Sequence, residues 1–349
     1  MHGDATLDDR TAADGERRVV VTGANGFIGR HVCAELSRAG WRVRALVRRD
    51  TVELPPGVER ITCPSLVDES ALEPIFASAD AVVHLAGRAH VLHDRGADRE
   101  ALFHASNVLP TIACARTAIR ARVRTFVFMS SVAAAAGNDD GTISDATPAR
   151  PINDYGRSKL AAEEALGSLA AASSMRVVSL RPPMVFGPGM RGNPLRLFRL
   201  VASGLPLPLG ALHNARTILY VENLASSISD VLAQSDPAPP RSYLVGDPQP
   251  VSTAELVRQI AAALSRRARL IPVPLGVLRA AARVGDLLGS VVPTPLDTTV
   301  LRSLAGSLVL DTAAFQRDFG RGSLISLEEG LRHTARWYVG ASAGGPTGR

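Results

Sequence analysis

"RRVVVTGANGFIGRHVCAELSRAG", residues 17–40, reads as a strand, a glycine turn and a helix. The strand is the β-branched run Val19–Thr22. The helix carries Ile28, Val32 and Leu36 on one face at i, i+4 and i+8, and Gly40 fits the stop. Between them Gly23, Gly26 and Gly29 are spaced GxxGxxG. The first allows a tight turn. The second lets backbone approach a diphosphate at the helix N-terminus, where free N–H groups and the helix dipole favour anions. The third lets the helix pack close to the strand. Three glycines alone are a weak signal, but after a buried strand and before an amphipathic helix they predict a dinucleotide cradle.

Working outward, "WRVRALV" (41–47), "VERITC" (58–63), "DAVVHLAG" (80–87), "RTFVFMSS" (124–131) and "MRVVSLRPP" (175–183) read as further strands. A helical stretch covers roughly 97–120, and "DYGRSKLAAEEALGSLAAA" is another. Nearly all-apolar strands alternating with helices predict an α/β fold, a doubly wound parallel sheet covered on both faces. Residues 18–182 are expected to form this lobe. A smaller α/β lobe is expected over 183–340, where proline and glycine become frequent, with some of its elements rejoining the first. Ser252…Glu255 and Ser326…Glu329 are capping boxes within it. Residues 1–17 and 341–349 read as tails.

The dinucleotide turn sets two further questions. The first is what ends the second strand. An acid there binds an adenosine 2′-hydroxyl; here "LVRRD" places Arg48 and Arg49 at that spot, and arginine suits a 2′-phosphate. NAD and NADP therefore stand equal. The second is what does chemistry beside the cofactor. Lys159 is the chain's single lysine among 39 Lys+Arg residues, and Tyr155 precedes it by one helical turn. Phenol, with a pKa near 10, is a poor base at neutral pH. A slim ammonium can lower that value and also reach the cofactor ribose, which a broad guanidinium does less well. Tyrosinate can then take a hydroxyl proton while hydride leaves the same carbon. Ser131, at the carboxyl end of the fifth strand, is the expected hydrogen-bond partner of the reacting oxygen, ahead of Ser130.

Composition narrows the classes. Apolar content of 46% and charged content of 21% are globular. The net charge of +6 comes from scattered arginines with 4% aromatics, which does not suit a nucleic-acid groove. Cys33, Cys63 and Cys114 lack CxxC spacing and read as core in a reducing cytoplasm. "HVLH" (90–93) has no companion set with zinc-like spacing, so no metal is expected. The N-terminus lacks the apolar core of a signal peptide, and no integral membrane segment is expected. "VLRAAARVGDLLGSVV" (277–292), apolar with interspersed arginines, reads as a packed lobe helix, with a membrane-surface helix as the alternative.

"TGANGFIG", "VVHLAG", Asn107 of "SNVLPT", "FMSS", "YGRSK", "LRPPMVFGPG" and "RTILYVENL" together resemble the extended short-chain dehydrogenase/reductases, the nucleotide-sugar epimerase/dehydratase family. The resemblance spans about residues 18–340. It implies an NAD(P) lobe and a second lobe for a nucleoside-diphosphate sugar. It places Ser131, Tyr155 and Lys159 in the catalytic positions. Gly23, Asn25, Gly26, Phe27, Ile28, Gly29, Arg48, Leu85, Ala86, Gly87, Asn107, Tyr155, Lys159 and Pro182 become the cofactor set. Arg216 matches the arginine that contacts the diphosphate; Arg191, Asn193 and Arg302 are further substrate candidates, beside Ser131. A homodimer is implied as well.

Departures from the family refine the expectation. Its 4,6-dehydratases carry an Asp-Glu pair after the catalytic hydroxyl residue; here Val132-Ala133 stands there, which disfavours elimination of water. The decarboxylases want a glutamate there and are disfavoured too. The tyrosine usual in the following loop is alanine in "VAAAAG", which widens the pocket toward an N-acetyl group. The expected activity is C4 epimerisation of a nucleotide sugar through a 4-keto intermediate, in cell-surface polysaccharide synthesis. The alternative is NADPH-dependent 4-keto reduction. A non-catalytic dinucleotide sensor is the lesser alternative, since such relatives typically lose the Tyr/Lys pair.

Overall fold

The computed structural model describes residues 16–49, 53–89, 98–137, 140–234, 241–288, 298–320 and 324–343. The expected tails, apart from a few residues, and the "HVLH" segment lie outside them.

Strands β1 (Arg18–Thr22), β2 (Arg42–Val47), β3 (Glu59–Thr62), β4 (Ala81–His84) and β5 (Thr125–Met129) build most of one sheet. Short β6 (Gly141–Ile143) lies outside it; β7 (Arg176–Arg181) belongs to it. Beyond these come β8 (Met184–Phe186), β9 (Ile218–Tyr220), β10 (Arg241–Leu244) and β11 (Leu308–Leu310). The main sheet has seven strands in the order β10-β7-β5-β4-β1-β2-β3, every pair parallel. Strand order reverses between β1 and β4, which opens a crevice at their carboxyl ends.

The period of two explains the apolar strands. Val19 and Val21 enter one core layer, and Val20 enters the other. On the first face lie α1 (Phe27–Arg38) and, packed on it, α7 (Val221–Ala233). On the second lie α2 (Glu69–Phe76), α4 (Leu109–Arg120) and α5 (Asp154–Ala171). Burial on both faces is what parallel strands require.

The expected helix over 97–120 is interrupted. It divides into α3 (Arg99–Phe103), a π-helical turn (His104–Val108) and α4. Asn107 sits inside that turn, as such irregular turns often hold functional side chains.

A second core gathers α6 (Asn193–Ala202), α8 (Thr253–Ala263), α9 (Leu275–Leu288), α10 (Thr298–Ala305) and α12 (Leu327–Ala343) around Tyr220 and Phe198. Helix α11 (Ala313–Phe319) instead sends Phe315 into the core beside β10. Ser252 and Ser326 cap α8 and α12 through the N–H groups of Glu255 and Glu329. Elements from beyond residue 182 rejoin the first lobe: β10 pairs with β7, α7 covers α1, α11 packs beside β10, and β11 pairs with β6. Phe27 and Ile28 face the second core, so the start of α1 touches both lobes.

Candidate active site

The glycine turn lies at the crevice. Gly23 has φ +68°, and a Cβ on it would sit 2.8 Å from Ala86 N at the end of β4. Only glycine allows both the left-handed backbone and that approach. A Cβ on Gly29 would overlap the carbonyl of Gly23 and come within 2.7 Å of Ala24 Cα, so this residue sets how closely α1 meets β1. Gly26 caps α1 without any side-chain hydrogen bond, and the helix has no acidic residue in its first turn. Its free N–H groups and positive end suit an anion. Arg48 and Arg49, both exposed, directly follow β2.

Lys159 and Tyr155 extend from the first two turns of α5, which Asn153 caps by accepting from Gly156 N at 2.8 Å. Gly156 brings the helix against the loop after β5: a Cβ there would overlap the Ala133 carbonyl. That contact puts Tyr155 next to Ser131, whose Oγ accepts from Ala133 N at 3.2 Å and acts on the phenol. Ser131 and Tyr155 keep partial exposure, whereas Lys159 is buried. The structure therefore brings together the three residues expected to act together.

Electrostatics differ from the expectation in one respect. Burial pushes the Tyr155 phenol above its usual value, and the group that opposes this is the Ser131 hydroxyl. The amine is engaged elsewhere. Lys159 Nζ donates to Met129 O at 2.8 Å and lies 4.8 Å from the centre of the Phe128 ring. Burial lowers Lys159 to about 8, with the Glu163 carboxylate acting the other way. Glu163 is itself held by a buried forked pair with Arg181, Nε to Oε1 at 3.0 Å and Nη2 to Oε2 at 2.5 Å, and by Ser242 Oγ at 2.8 Å.

Asn107 ties the crevice together. Its amide oxygen accepts from Arg88 N at 2.7 Å, and its amide nitrogen donates to Arg88 O and to Ser158 Oγ. Ser158 Oγ in turn donates to Tyr155 O at 2.8 Å. The β4 loop carrying Leu85, Ala86 and Gly87 is thus clamped to α5. A Cβ on Gly87 would lie 3.1 Å from Lys159 Nζ. Pro182 O accepts from Val132 N, fixing the end of β7 beside Ser131.

Sequence reasoning passed over His84, fully buried on β4. Thr22 Oγ1 pairs with its Nδ1 at 2.9 Å, and burial, with the Lys159 charge added, pushes it down to about 3. The ring stays neutral beside the ammonium. The signal was one polar residue in the apolar run "AVVHLAG". Ser130 is also buried, and its Oγ has no partner among the described residues.

The substrate candidates separate into two groups. Arg216 donates from Nη1 to Gly306 O at 3.0 Å, and Gly306 and Arg302 line one cavity of about 380 Å³. Arg191 and Asn193 instead stand exposed at the start of α6, following a loop whose Pro188 O meets His31 Nε2 at 2.9 Å. Neither lines that cavity.

A parallel sheet with a glycine cradle at its switch point and an adjacent Tyr/Lys helix defines a dinucleotide-dependent enzyme class. Residues 19–246 match the NAD dependent epimerase/dehydratase family, and the chain belongs to that family. It is 31% identical over 333 residues to a UDP-glucose 4-epimerase of Vibrio cholerae, covering 93% of this chain and 97% of that protein. It is 29% identical over 341 residues to a ceramide reductase of Caulobacter vibrioides, covering 95% and 97%. The solved structure of MoeE5 with UDP-glucuronic acid and NAD superposes with a TM-score of 0.72 at 25% identity, covering 94% of this chain and all of that one. Family membership makes the chain an NAD-dependent enzyme, with NAD and NADP both open.

Proposed function

We propose that this chain is an NAD(P)-dependent C4 epimerase of a nucleoside-diphosphate sugar, a UDP-hexose or UDP-N-acetylhexosamine. The observation that carries the reading is the grouping of Tyr155 and buried Lys159, one turn apart on α5, with Ser131 after β5, at the sheet edge that holds the glycine cradle. The likeness to a UDP-glucose 4-epimerase over nearly the full length supports it.

The chain's residues fit the dinucleotide. Gly23, Gly26 and Gly29 leave the room a Cβ would fill, and the uncapped start of α1 suits the diphosphate. Asn25, Phe27, Ile28, Leu85, Ala86, Gly87, Asn107 and Pro182 form the walls. When bound, NAD(P) supplies the ring that accepts and returns hydride. Tyr155 takes the proton of the C4 hydroxyl and later gives it back. Ser131 holds the reacting oxygen, and its hydroxyl favours the phenolate. Lys159 places positive charge near the ribose. Arg216 and Arg302 hold the substrate's diphosphate end. The resemblance implies a homodimer acting in cell-surface polysaccharide synthesis.

One observation favours 4-keto reduction as the second reading. Arg48 and Arg49 stand where β2 ends, at the place of the usual ribose-binding acid, as suits a dissociable NADPH. The test is the cofactor carried by the purified protein, with NMR of UDP-glucose, UDP-galactose and their N-acetyl analogues. Stoichiometric bound NAD and conversion between C4 epimers supports the proposal. An empty protein that consumes NADPH with a 4-keto nucleotide sugar replaces it with the reductase.

A further inference from the structure

Helix α9 has two apolar sides. Leu278 and Ala282, one turn apart, are buried in the second core and fix the helix to its lobe. On the other side Val277, Val284 and Leu287 are 57%, 53% and 77% exposed. Ala280 and Ala281 between them are exposed as well. These positions recur with the spacing of one helix face, so they form a stripe about 15 Å long. An apolar stripe of that kind on a surface marks a contact.

Its setting is cationic. Arg279 and Arg283 run along one edge, and with Arg302 of α10 they line the cavity of about 380 Å³, in which no acidic residue takes part. The chain leading into the helix adds exposed Arg266, Arg267 and Arg269. Residues 265–288 thus hold five arginines against one carboxylate, Asp286. Asp286 accepts from Thr298 N at 3.1 Å, at the start of α10.

We propose that α9 is a membrane-docking helix whose stripe rests in the interface of an anionic bilayer while the arginines beside it engage lipid phosphates. Charge complementarity selects this occupant. A surface that is apolar in depth and anionic at its rim is what acidic lipids present to an amphipathic helix. A second copy meeting this face about a two-fold axis would set the same arginines against each other. The helix lies along the surface; no helix among the described residues is long and apolar enough to cross a membrane. Docking needs no turnover, and the aspartate variants test the stripe, which lies outside the cavity that Arg302 shares with the proposed substrate.

The test is co-sedimentation of the full chain with phosphatidylcholine vesicles, neutral or carrying about 30% phosphatidylglycerol. The bound fraction should be at least ~10-fold higher on anionic vesicles and fall at about 0.5 M NaCl. Val284→Asp with Leu287→Asp should abolish binding, with the melting temperature unchanged because both side chains already face solvent. Arg279→Gln with Arg283→Gln should remove the preference for acidic lipid. No binding to anionic vesicles, or equal binding by the aspartate variant, overturns the proposal. So does a lipid-free dimer that Leu287→Asp converts to monomer, which would assign the stripe to a second copy.

Discussion

Lys159 is fastened to the strand beneath it: its amine donates to Met129 O at 2.8 Å, with the Phe128 ring 4.8 Å away and Glu163 one turn further along α5. An ammonium so placed has exchanged water for one carbonyl, one ring face and one carboxylate. That is why it falls to about 8 from an ordinary 10.5.

Because the chain has no other lysine, protein carrying ¹³C-lysine should give a single side-chain signal that needs no assignment. Its titration midpoint should lie at about 8, and Glu163→Gln should lower it further. A midpoint near 10.5 would mean that the amine is solvated. The linkage follows in sign. Below about 8 both folded and unfolded chains hold the proton, and the fold carries the full cost of burying the charge. Between about 8 and 10.5 the unfolded chain binds more protons, so this group's contribution to stability rises with pH.

Tyr155 lies one turn before that lysine on α5, with the Ser131 hydroxyl opposing the upward push of burial on its phenol. Tyr155→Phe should reduce turnover by at least ~10² and leave dinucleotide affinity little changed. Initial rates together with calorimetric titration of the cofactor check both halves. Near-normal turnover would remove the tyrosine from its role.

The Glu163–Arg181 pair is buried on both sides. Glu163→Ala leaves the guanidinium without its partner and should cost about 3–5 kcal/mol, read from the denaturant midpoint. Replacing both with Leu and Met should cost less, because no charge is then stranded. Equal losses in the two variants would argue against stranding.

At the end of β2, Arg48→Asp should shift the ratio of dissociation constants toward NAD and away from NADP. An unchanged ratio would make the arginine a bystander.

Much of this was legible in residues 17–40 and in the alternation that follows them. A glycine turn between an apolar strand and an amphipathic helix is a local pattern, and local patterns survive folding. Tyr155 and Lys159 were legible for the same reason, as neighbours on one helix. What escaped depends on distant chain. Glu163, written "AAEEA", looks like a solvated helix position until Arg181 and Ser242 arrive from two strands. The π-helical turn at Asn107 follows from its clamp on Arg88 and Ser158, which no helical periodicity encodes. The direction of the Tyr155 shift also escaped, because burial is a property of the assembled crevice.

The return of α7 and β10 to the first lobe bears on any attempt to divide the chain. Ending it at Pro182 would strip the outermost strand and expose the backbone of β7 as a raw margin. It would also uncover the side of α1 that α7 shields. Such a piece would recruit further copies of itself edge to edge before it could serve as a cofactor module. The nucleotide half of this enzyme is completed by chain synthesised after the first part of its other half.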